Sequence, residues 1–547
     1  MVGIMNETGI KTIITDPDER VLLTKTIAYL KANKPNCLIG HNLVAFDLPF
    51  ITHRCRLNKL SHPLTRGYKP SRITSSAVNG KPIEFTPVYW QGTDILDTYH
   101  QIAIWDEAAA KLTSYGLKNS TIALGLRDDR RLELSVTEIR QCWDAGDLAT
   151  IQAYLEFDLE DTRSLADFLL PVVYYQMNYV PDLNFQTLAV ASPALKAQKI
   201  HQRLLPNLSP VADEPVKFGG GTVELLKPGL HRNVAKIDVS SLYPSVMLRY
   251  GICSRKDPEH KFLGVLEYMR SERLRLKALA KASDKSASFQ EKSLKVLING
   301  SYGYFGTGGY GFNDYEAAAL VTAYGRKILN LMVSVVESCN GIPIEIDTDG
   351  IFFSHDDPKT VSALVADTLP EGISIELELK HYGLYAPKAK SYVLVSPDGQ
   401  TSAKGLFRKR NRYRLENEFP TQFIKLYFTE GLAAAQAYYK QTRSMLASGD
   451  IPVEDLTITR KISTSEKNLV ELGIGKPGDT VSYWYREHIR LHAKTGKPLK
   501  PTAIETNSGE YWTEYYVTEL DRAYGEIIPP AIDRNPLSDL PLFTQAA

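Results

Sequence analysis

The pattern of apolar and polar positions predicts a β-hairpin at residues 342–354. An apolar run is followed by an acidic turn ending in Asp-Gly and by a second apolar run, which is typical of two antiparallel strands. The turn carries Asp347 and Asp349, with Thr348 between them. Carboxylates at the tip of a rigid hairpin can hold divalent cations, but acidic turns without such a role are common. The hairpin is therefore a candidate metal site that needs support from elsewhere in the chain.

Residues 1–172 show the alternation of strands and helices that is typical of an α/β domain. Helical spacing runs from Val21 to Leu30, and a short buried strand is predicted at 36–40. A long helix is predicted at 148–169, where Tyr154 and Asp158 lie four residues apart and share one face. A carboxylate and a phenol so placed can hold a metal and orient a water, or can simply belong to a solvated face.

A connecting segment is predicted at 173–215, and three glycines at 219–221 then allow a close approach of the backbone or form a plain turn. A strand predicted at 234–239 carries Asp238 near its end, and Pro244 opens the next helix. Backbone N–H groups at such a junction are available to bind phosphate, although an aspartate at a strand end is often only a cap.

Two helices are predicted within residues 261–304, joined at 282–288. Arg273 and Lys277 face one way on the first helix, and Lys295, Asn299 and Tyr302 recur at i, i+4 and i+7 on the second. Such cations can form an anion clamp, but a solvated basic face has the same pattern.

Composition narrows the class of protein. A chain of 547 residues exceeds a single core, so about three or four domains are expected. The net charge is +1, so a surface that binds nucleic acid requires positive charge concentrated in one part of the chain. Residues 385–414 hold eight basic residues against one acid, with aromatic residues between them, which suits such a surface. Thirty tyrosines suit either stacking on bases or filling cores. No apolar run of 18 residues is found, so no membrane segment is expected.

The five cysteines are scattered and form no Cys-x-x-Cys pair. This argues against a zinc finger or a disulfide framework and favours a reducing compartment.

Together, these motifs resemble those of family B DNA polymerases, and they occur in the family order. Motif A is matched by Asp238-x-x-Ser-Leu-Tyr-Pro-Ser245, motif B by Lys295-x-x-x-Asn299-x-x-Tyr302-Gly303, and motif C by Asp347-Thr-Asp349. The Tyr-x-Gly-Gly and Lys-x-Tyr motifs are matched by Phe218-x-Gly-Gly221 and Lys390-Ser-Tyr392. The chain departs from the family at Gly300 and Gly350, where the family has Ser, and at Glu345-Ile346, where it has Tyr-Gly.

The N-terminal part resembles a DEDDy-type 3′–5′ exonuclease. Asn-x-x-x-Phe-Asp47 and Tyr154-x-x-x-Asp158 match its second and third motifs, which implies Asp47 and Asp158 as metal ligands and Tyr154 as the residue that orients water. The first motif, Asp-x-Glu, is missing between Met1 and Cys37. We therefore expect weak or absent proofreading in this chain, and a reading frame that extends upstream unless the exonuclease has decayed.

The resemblance implies an α+β multidomain fold, in which a right-hand polymerase of palm, fingers and thumb accompanies an RNase H-like α/β exonuclease domain. The predicted domains are exonuclease 1–172, connection 173–215, palm 216–260 and 305–414, fingers 261–304, thumb 415–530 and a flexible tail 531–547.

The implied activity is template-directed DNA synthesis, in which dNMP joins a primer 3′-OH and pyrophosphate leaves. Two Mg²⁺ ions are expected as cofactors, with Mn²⁺ able to replace them. The implied catalytic residues are Asp238, Asp347 and Asp349, of which Asp238 and Asp349 hold the metals. The implied contacts to dNTP are Ser241, Leu242, Tyr243, Arg273, Lys277, Lys295, Asn299 and Tyr302, and Tyr243 also excludes a 2′-OH. The implied contacts to primer–template DNA are Phe218, Gly220, Gly221, Lys390, Tyr392, Arg408, Lys409 and Arg410.

Two other classes of protein stay open. One is a catalytically silent, polymerase-like DNA-binding protein, against which the intact Asp238 and Asp349 argue. The other is a 3′–5′ exonuclease with an accessory polymerase fold, against which the missing Asp-x-Glu argues.

The tail contains a further resemblance, at residues 537–543. Leu-Ser-Asp-Leu-Pro-Leu-Phe is similar to the Gln-x-x-Leu-x-Leu-Phe peptide by which bacterial polymerases bind the β sliding clamp, with Leu537 in place of Gln. Leu540, Leu542 and Phe543 would fill the clamp pocket, whereas docking on the chain's own thumb is the alternative. A clamp peptide implies a bacterial, phage or plasmid source and a cytoplasmic protein.

Overall fold

The computed structural model describes residues 1–75, 82–109, 112, 114–127, 132, 134–282, 285–408, 412–461, 480–485, 503–504 and 511–527. The chain forms two compact units, one made of Met1–Lys217 and Cys253–Ala318, the other of Phe218–Ile252 and Ala319–Ala547.

The described strands are β1 Val2–Met5, β2 Lys11–Ile14, β3 Cys37–Gly40, β4 Thr65–Arg66, β5 Ser71–Ser75, β6 Pro82–Phe85, β7 Val88–Tyr89, β8 Asp94–Asp97, β9 Val223–Leu225, β10 Gly229–Val239, β11 Ile342–Asp347, β12 Gly350–Ser354, β13 Ile375–Lys388, β14 Ser391–Val395, β15 Thr401–Ala403, β16 Ile458–Lys461, β17 Thr480–Tyr485 and β18 Ala503–Ile504.

The described helices are α1 Glu19–Asn33, α2 Asp47–Leu57, α3 Thr98–Ala109, α4 Leu117–Ala123, α5 Val136–Asp144, α6 Leu148–Gln176, α7 Phe185–Val190, α8 Pro193–Leu204, α9 Leu242–Tyr250, α10 Lys261–Lys281, α11 Lys285–Gly303, α12 Tyr315–Ser338, α13 Pro358–Thr368, α14 Arg414–Thr429, α15 Leu432–Ser448, α16 Val453–Leu456 and α17 Thr513–Ile527, with a short 3₁₀ helix at Gly405–Phe407.

In the first unit, the described strands form two-stranded pairs, and β1 and β3 contact the long helix α6. Strand β1 is antiparallel to β2, and β3 is parallel to β8. Helix α6 begins at an N-cap, Asp147, which accepts the N–H of Thr150, and it continues through Pro171 to Gln176. The sequence pattern predicted this helix to end at 169, but it runs seven residues further, past a proline that ordinarily disrupts a helix. Leu155 and Leu159 pack closely on Gly3 of β1, so a Cβ there would require the Leu155 side chain to move.

The predicted connecting segment, 173–215, contains helical structure. Helices α7 and α8 lie within it, and α8 packs against α11, the second of the two helices predicted at 261–304. The division into two compact units does not test the predicted boundaries of exonuclease, palm, fingers and thumb, which stay predictions.

A buried histidine fastens α8 to the start of α10. His201 lies between the rings of Phe262 and Phe312, with ring centroids 4.7 and 4.2 Å away. Its Nε2 is 3.1 Å from Oδ2 of Asp257, and its Nδ1 contacts the Tyr304 hydroxyl. Burial lowers the pKa of His201 to about 4, although Asp257 opposes the shift. A proton on this imidazole would therefore cost folding free energy.

In the second unit, seven strands form an antiparallel sheet in the order β15-β14-β13-β10-β12-β11-β9. The predicted hairpin is confirmed as β11 and β12, and the strand predicted at 234–239 is the end of the longer β10. Val234, Ile344, Phe352 and Leu384 form a buried core on this sheet.

The C-terminal part of the second unit is built around aromatic residues. Phe419, Phe423 and Phe428 of α14 share a core with Tyr483 of β17 and Tyr516 of α17. Several tyrosines of this chain thus fill a core in the described residues.

Helix α12 is long and apolar enough to cross a membrane, judged by length and composition. It carries Glu316, Arg326, Lys327 and Glu337, which is why no uninterrupted apolar run marks it in the sequence. Such a helix also occurs in the cores of soluble proteins. Gly325 of α12 packs against the Tyr243 ring, as expected for a core helix.

We predict that His201 makes the protein less stable in mild acid. The unfolded chain takes up a proton near pH 6.5 and the folded chain only near pH 4, so stability falls as the pH drops through this window. At pH 5.5 the loss is about 1 kcal/mol relative to pH 7.5. Thermal melting should show a smaller loss between these pH values for His201→Gln than for wild type, whereas the exposed control His53→Gln should match wild type. Equal losses in all three proteins would contradict the assignment.

Candidate active site

The register of the central strands brings the acidic residues of two motifs together. Asp238 of β10 lies opposite Gly350 of β12 on one side and Glu376 of β13 on the other. The Val239 N–H donates to the Asp349 carbonyl over 2.8 Å. Asp347 and Asp349 flank the hairpin turn, where Thr348 adopts a left-handed conformation with φ of 64°. Backbone pairing therefore places Asp238, the turn with Asp347 and Asp349, and Glu376 next to one another at the ends of their strands.

Asp238 has an environment suited to a cation. Its Oδ1 is buried and has no hydrogen-bond partner within the described residues, while Oδ2 accepts from the Lys236 ammonium. Burial raises the pKa of Asp238 to about 7, with Lys236 opposing the shift and Glu378 adding to it. A buried carboxylate oxygen without a partner is costly, and a divalent cation would satisfy it. The residues present therefore fit a divalent metal.

Sequence reasoning missed three charged residues at this site. Glu376 lies opposite Asp238, and its Oε1 is 3.5 Å from the Ser240 hydroxyl. Glu378 pairs with Lys236 over 3.3 Å. The alternation of Glu and apolar residues along 375–379 was a signal of a strand with an acidic face, whereas nothing in the sequence assigned Lys236 to the carboxylates.

The predicted DNA contact Lys390 also reaches the acidic turn. Its Nζ lies 3.1 Å from the Thr348 hydroxyl and 3.4 Å from Oδ1 of Asp347. Lysine ammonium groups thus stand beside both Asp238 and Asp347.

The glycines at 219–221 provide the close approach that the sequence suggested. A Cβ at Gly221 would overlap the Tyr243 hydroxyl, and a Cβ at Gly325 would lie 3.2 Å from the same ring. Arg326 donates to the carbonyl of Gly220 over 2.6 Å, and Thr348 N–H donates to the carbonyl of Thr222 over 3.0 Å. The half-buried Phe218 precedes this segment. The glycine segment is therefore held against the hairpin turn and the Tyr243 ring.

Helix α9 starts immediately after β10. Ser241 is its N-cap in a left-handed conformation with φ of 53°, and Leu242 is buried beneath the first turn. The N–H groups of this first turn lie at the positive end of the helix dipole, close in sequence to Asp238. This arrangement suits the predicted phosphate contacts of Ser241, Leu242 and Tyr243.

Other predicted DNA contacts differ in exposure. Tyr392 is 2% exposed and packs edge-on against Phe352, so its observed role is packing, and its predicted contact with DNA stays a prediction. Arg408 is exposed. The residues Lys409, Arg410, Leu540, Leu542 and Phe543 lie outside the described residues, as does the whole tail 531–547.

The predicted triphosphate contacts lie on α10 and α11, in the first unit. Lys295 and Asn299 are exposed and Tyr302 is half-buried, whereas the intervening Leu297 and Ile298 are buried, as helical spacing requires. Arg273 of α10 donates to Glu291 of α11 over 2.8 Å, which the sequence pattern did not reveal. Lys277 follows one turn later on α10 and is half-buried. The Nε of Arg273 is therefore already bonded within the protein.

The exonuclease residues line one cavity of about 820 Å³ in the first unit. Asp47 begins α2, while Tyr154 and Asp158 lie on α6, and all three face the cavity. Asp47 is accessible from the cavity, yet desolvation by the surrounding protein raises its pKa to about 6, and the carboxylates of Asp97 and Asp158 add to the shift. Glu138 also lines the cavity, but it accepts the Ser135 N–H in a capping box.

Comparisons with known proteins agree with this geometry. Residues 4–119 match the family model "DNA polymerase family B, exonuclease domain". The solved structure of the family B DNA polymerase from Pyrobaculum calidifontis aligns with a TM-score of 0.64 and 19% identity, over 96% of this chain and 74% of that one. The fold is that of a family B DNA polymerase with its exonuclease domain.

Several relatives are named as DNA polymerases or as a polymerase subunit. The DNA polymerase of Archaeoglobus fulgidus is 23% identical over 82% of this chain and 60% of its own length. The DNA polymerase of Thermococcus sp. 9oN-7 is 22% identical over 94% and 72%, and the DNA polymerase delta catalytic subunit of Dictyostelium discoideum is 23% identical over 83% and 47%. The chain spans about three fifths of the first relatives it matches, with 60% of the Archaeoglobus and 61% of the Aeropyrum pernix protein.

These relatives are archaeal and eukaryotic, whereas the sequence reading placed the chain near bacterial, phage and plasmid enzymes. They do not support that placement, and the DEDDy type of the exonuclease also stays a prediction.

The structure explains two departures from the family B motifs. At Gly350, a Cβ would overlap the Asp238 carboxylate, so the family serine has no space. At Gly300, a Cβ would lie 2.6 Å from the Pro193 carbonyl oxygen, because α8 packs directly on α11. At both positions a neighbouring group thus approaches the backbone too closely for a side chain.

We predict that restoring serine at Gly300 lowers stability. Forcing a side chain into this contact shifts α8 or α11 and costs about 1–3 kcal/mol. Thermal melting of Gly300→Ser should therefore show a midpoint several degrees below wild type. Gly264→Ser on α10 is the matched control, because nothing lies within 4 Å of a Cβ there. An equal melting midpoint for the two variants would show that α8 can move away from the new side chain without a loss of stability.

Proposed function

We propose that this chain catalyses template-directed DNA synthesis, adding dNMP to a primer 3′-OH with release of pyrophosphate. The observation that carries the proposal is the pairing of β10 with β12, which places Asp238 beside the turn that carries Asp349 and near the N-terminus of α9. A buried oxygen of Asp238 has no hydrogen-bond partner within the described residues. The names of the relatives, DNA polymerase in archaea and delta catalytic subunit in Dictyostelium discoideum, support it.

The chemistry follows from the residues of the second unit. Asp238 and Asp349 would hold the divalent ions, Mg²⁺ or Mn²⁺, with Asp347 close by. Bound there, the ions supply activation of the primer hydroxyl and neutralise charge on the leaving pyrophosphate. The first-turn N–H groups of α9 bind phosphate oxygens, and the Tyr243 ring, held by Gly221 and Gly325, excludes a 2′-OH.

The motif resemblance assigns further groups on α10 and α11 to this proposed reaction. Arg273, Lys277 and Lys295 would neutralise the triphosphate, and Asn299 and Tyr302 would contact the nucleotide.

The alternatives predict different outcomes in one assay. A silent DNA-binding relative retains DNA affinity without extending a primer, and an exonuclease with an accessory polymerase fold shortens the primer instead. Primer extension with Mg²⁺ and all four dNTPs distinguishes the three.

We predict that Asp349→Ala abolishes nucleotide incorporation while DNA affinity stays within a few-fold of wild type. Loss of a metal ligand removes transition-state stabilisation of several kcal/mol, whereas DNA binding depends mainly on phosphate contacts. The measurements are single-nucleotide incorporation and binding of a labelled primer–template. Asp367→Ala, an exposed acid on α13, is the control and should extend primers normally. Primer extension by Asp349→Ala near the wild-type rate would show that Asp349 is not a catalytic residue.

We further propose that 3′–5′ proofreading by this chain is weak or absent. Asp47 and Asp158 face one cavity, but the sequence before Cys37 has no Asp-x-Glu, and Glu138 is committed to the capping box. Two-metal nucleases need more carboxylate ligands than these. A mismatched 3′ end should therefore persist in Mg²⁺ without dNTPs, on a gel that resolves single nucleotides. Rapid degradation that disappears in Asp158→Ala would show that another acid completes the site.

The tail carries a separate proposal, which the sequence alone supports. Residues 537–543 would bind a β-type sliding clamp through Leu540, Leu542 and Phe543, in the cytoplasm of a bacterial, phage- or plasmid-carrying cell. Tethering to a clamp raises the local concentration of primer ends, so products should lengthen without a change in single-nucleotide kinetics. Deletion of 536–547 should abolish this lengthening on DNA with a loaded clamp. If the clamp lengthens products equally with and without the tail, this peptide is not the contact.

A further inference from the structure

A buried glutamate lies in β11, two residues before Asp347 of the acidic turn, and has no role in the mechanism above. Glu345 of β11 is 0% exposed and stands where the family has tyrosine. Across the sheet it lies opposite Phe352 on one side and Leu225 on the other. Burial raises the pKa of Glu345, the Lys390 amide opposes the shift, and the neighbouring Asp347 adds to it. A carboxyl group in such surroundings costs free energy, so a use for it is expected.

The partner of Glu345 is a backbone amide of a different hairpin. Its Oε1 accepts the Lys390 N–H over 2.7 Å, while Oε2 is buried and has no partner within the described residues. Lys390 lies at the β13–β14 turn, next to the pair formed by Lys388 and Ser391, in a left-handed conformation with φ of 58°. A non-glycine residue in this conformation persists only where its surroundings hold it.

Residues 404–406 make further contacts with the same turn. Gly405 comes so close to the Lys390 carbonyl and the Ser391 side chain that a Cβ would overlap both. The Lys404 N–H donates to the Tyr392 carbonyl over 2.8 Å, and the Leu406 N–H donates to the Ser391 hydroxyl over 3.3 Å. Glu345 thus holds the Lys390 amide, and residues 404–406 pack against the Lys390 carbonyl and Ser391. The Lys390 side chain itself remains 54% exposed.

We propose that Glu345 is a positioning residue for Lys390, and that it sets where the lysine ammonium stands above Asp347 and Thr348. The inference rests on the proposed DNA synthesis, in which Lys390 meets primer–template DNA. Glu345 then acts on DNA only through Lys390, by the hydrogen-bond acceptor at Oε1 rather than by its charge. The family tyrosine lacks a carboxylate acceptor, so this brace is specific to chains with an acid or amide at the position.

The test is a double-mutant cycle with a conservative rescue. Glu345→Met removes the acceptor at similar length and should raise the KM for primer–template about tenfold, with kcat within twofold of wild type. Glu345→Gln keeps an acceptor oxygen and should stay within twofold in both constants. In a Lys390→Ala background, Glu345→Met should add nothing, because its effect runs through Lys390.

Hydrogen–deuterium exchange supplies a readout that does not need synthesis. A peptide covering 388–392 should exchange faster in Glu345→Met and at the wild-type rate in Glu345→Gln, if Oε1 protects the Lys390 amide. The inference fails if Glu345→Met has its full effect without Lys390, if Glu345→Gln is as impaired as Glu345→Met, or if amide exchange is unchanged. A wild-type protein that extends no primer overturns the proposed synthesis, whereas the exchange result then still decides whether Glu345 holds Lys390.

Discussion

The pairing of β10 with β12 is the constraint on which the candidate active site depends. The hydrogen bond from Val239 N–H to the Asp349 carbonyl, and the position of Asp238 opposite Gly350, fix two acids that are more than a hundred residues apart in the chain. A slip of one residue in this register would turn Asp238 to the opposite face of the sheet. Because residues 234–239 of β10 and most of β12 pack into the core, that packing specifies the register as well as the site.

The sequence predicted those features that depend on local pattern. The acidic hairpin, the two helices around 282–288 and the shared face of Tyr154 and Asp158 follow from periodicity and turn chemistry, and the structure contains each of them. These predictions hold because each depends on residues close together in sequence, and the tertiary contacts of the protein favour the same local structure.

Features that arise from packing between distant segments could not be predicted in the same way. Nothing near Lys236 in sequence indicates Glu378 as its partner, and nothing near Arg273 indicates Glu291. Tyr392 belongs to a motif that suggested a contact surface, yet its ring lies in the core against Phe352. Gly350 and Gly300 stand where the family has serine, and only the neighbouring Asp238 carboxylate and Pro193 carbonyl show why a side chain is excluded.

The seat of the Tyr243 ring has a consequence for how this polymerase fold can change. Gly221 meets the phenol hydroxyl and Gly325 meets the ring edge, so the seat is already full at both ends. A smaller side chain fits at position 243 without further change, whereas a larger one requires movement of the glycine segment or of α12. Variation at this position is therefore one-directional: a single substitution can enlarge the space at position 243, whereas reducing that space also requires a change in the glycine segment or in α12.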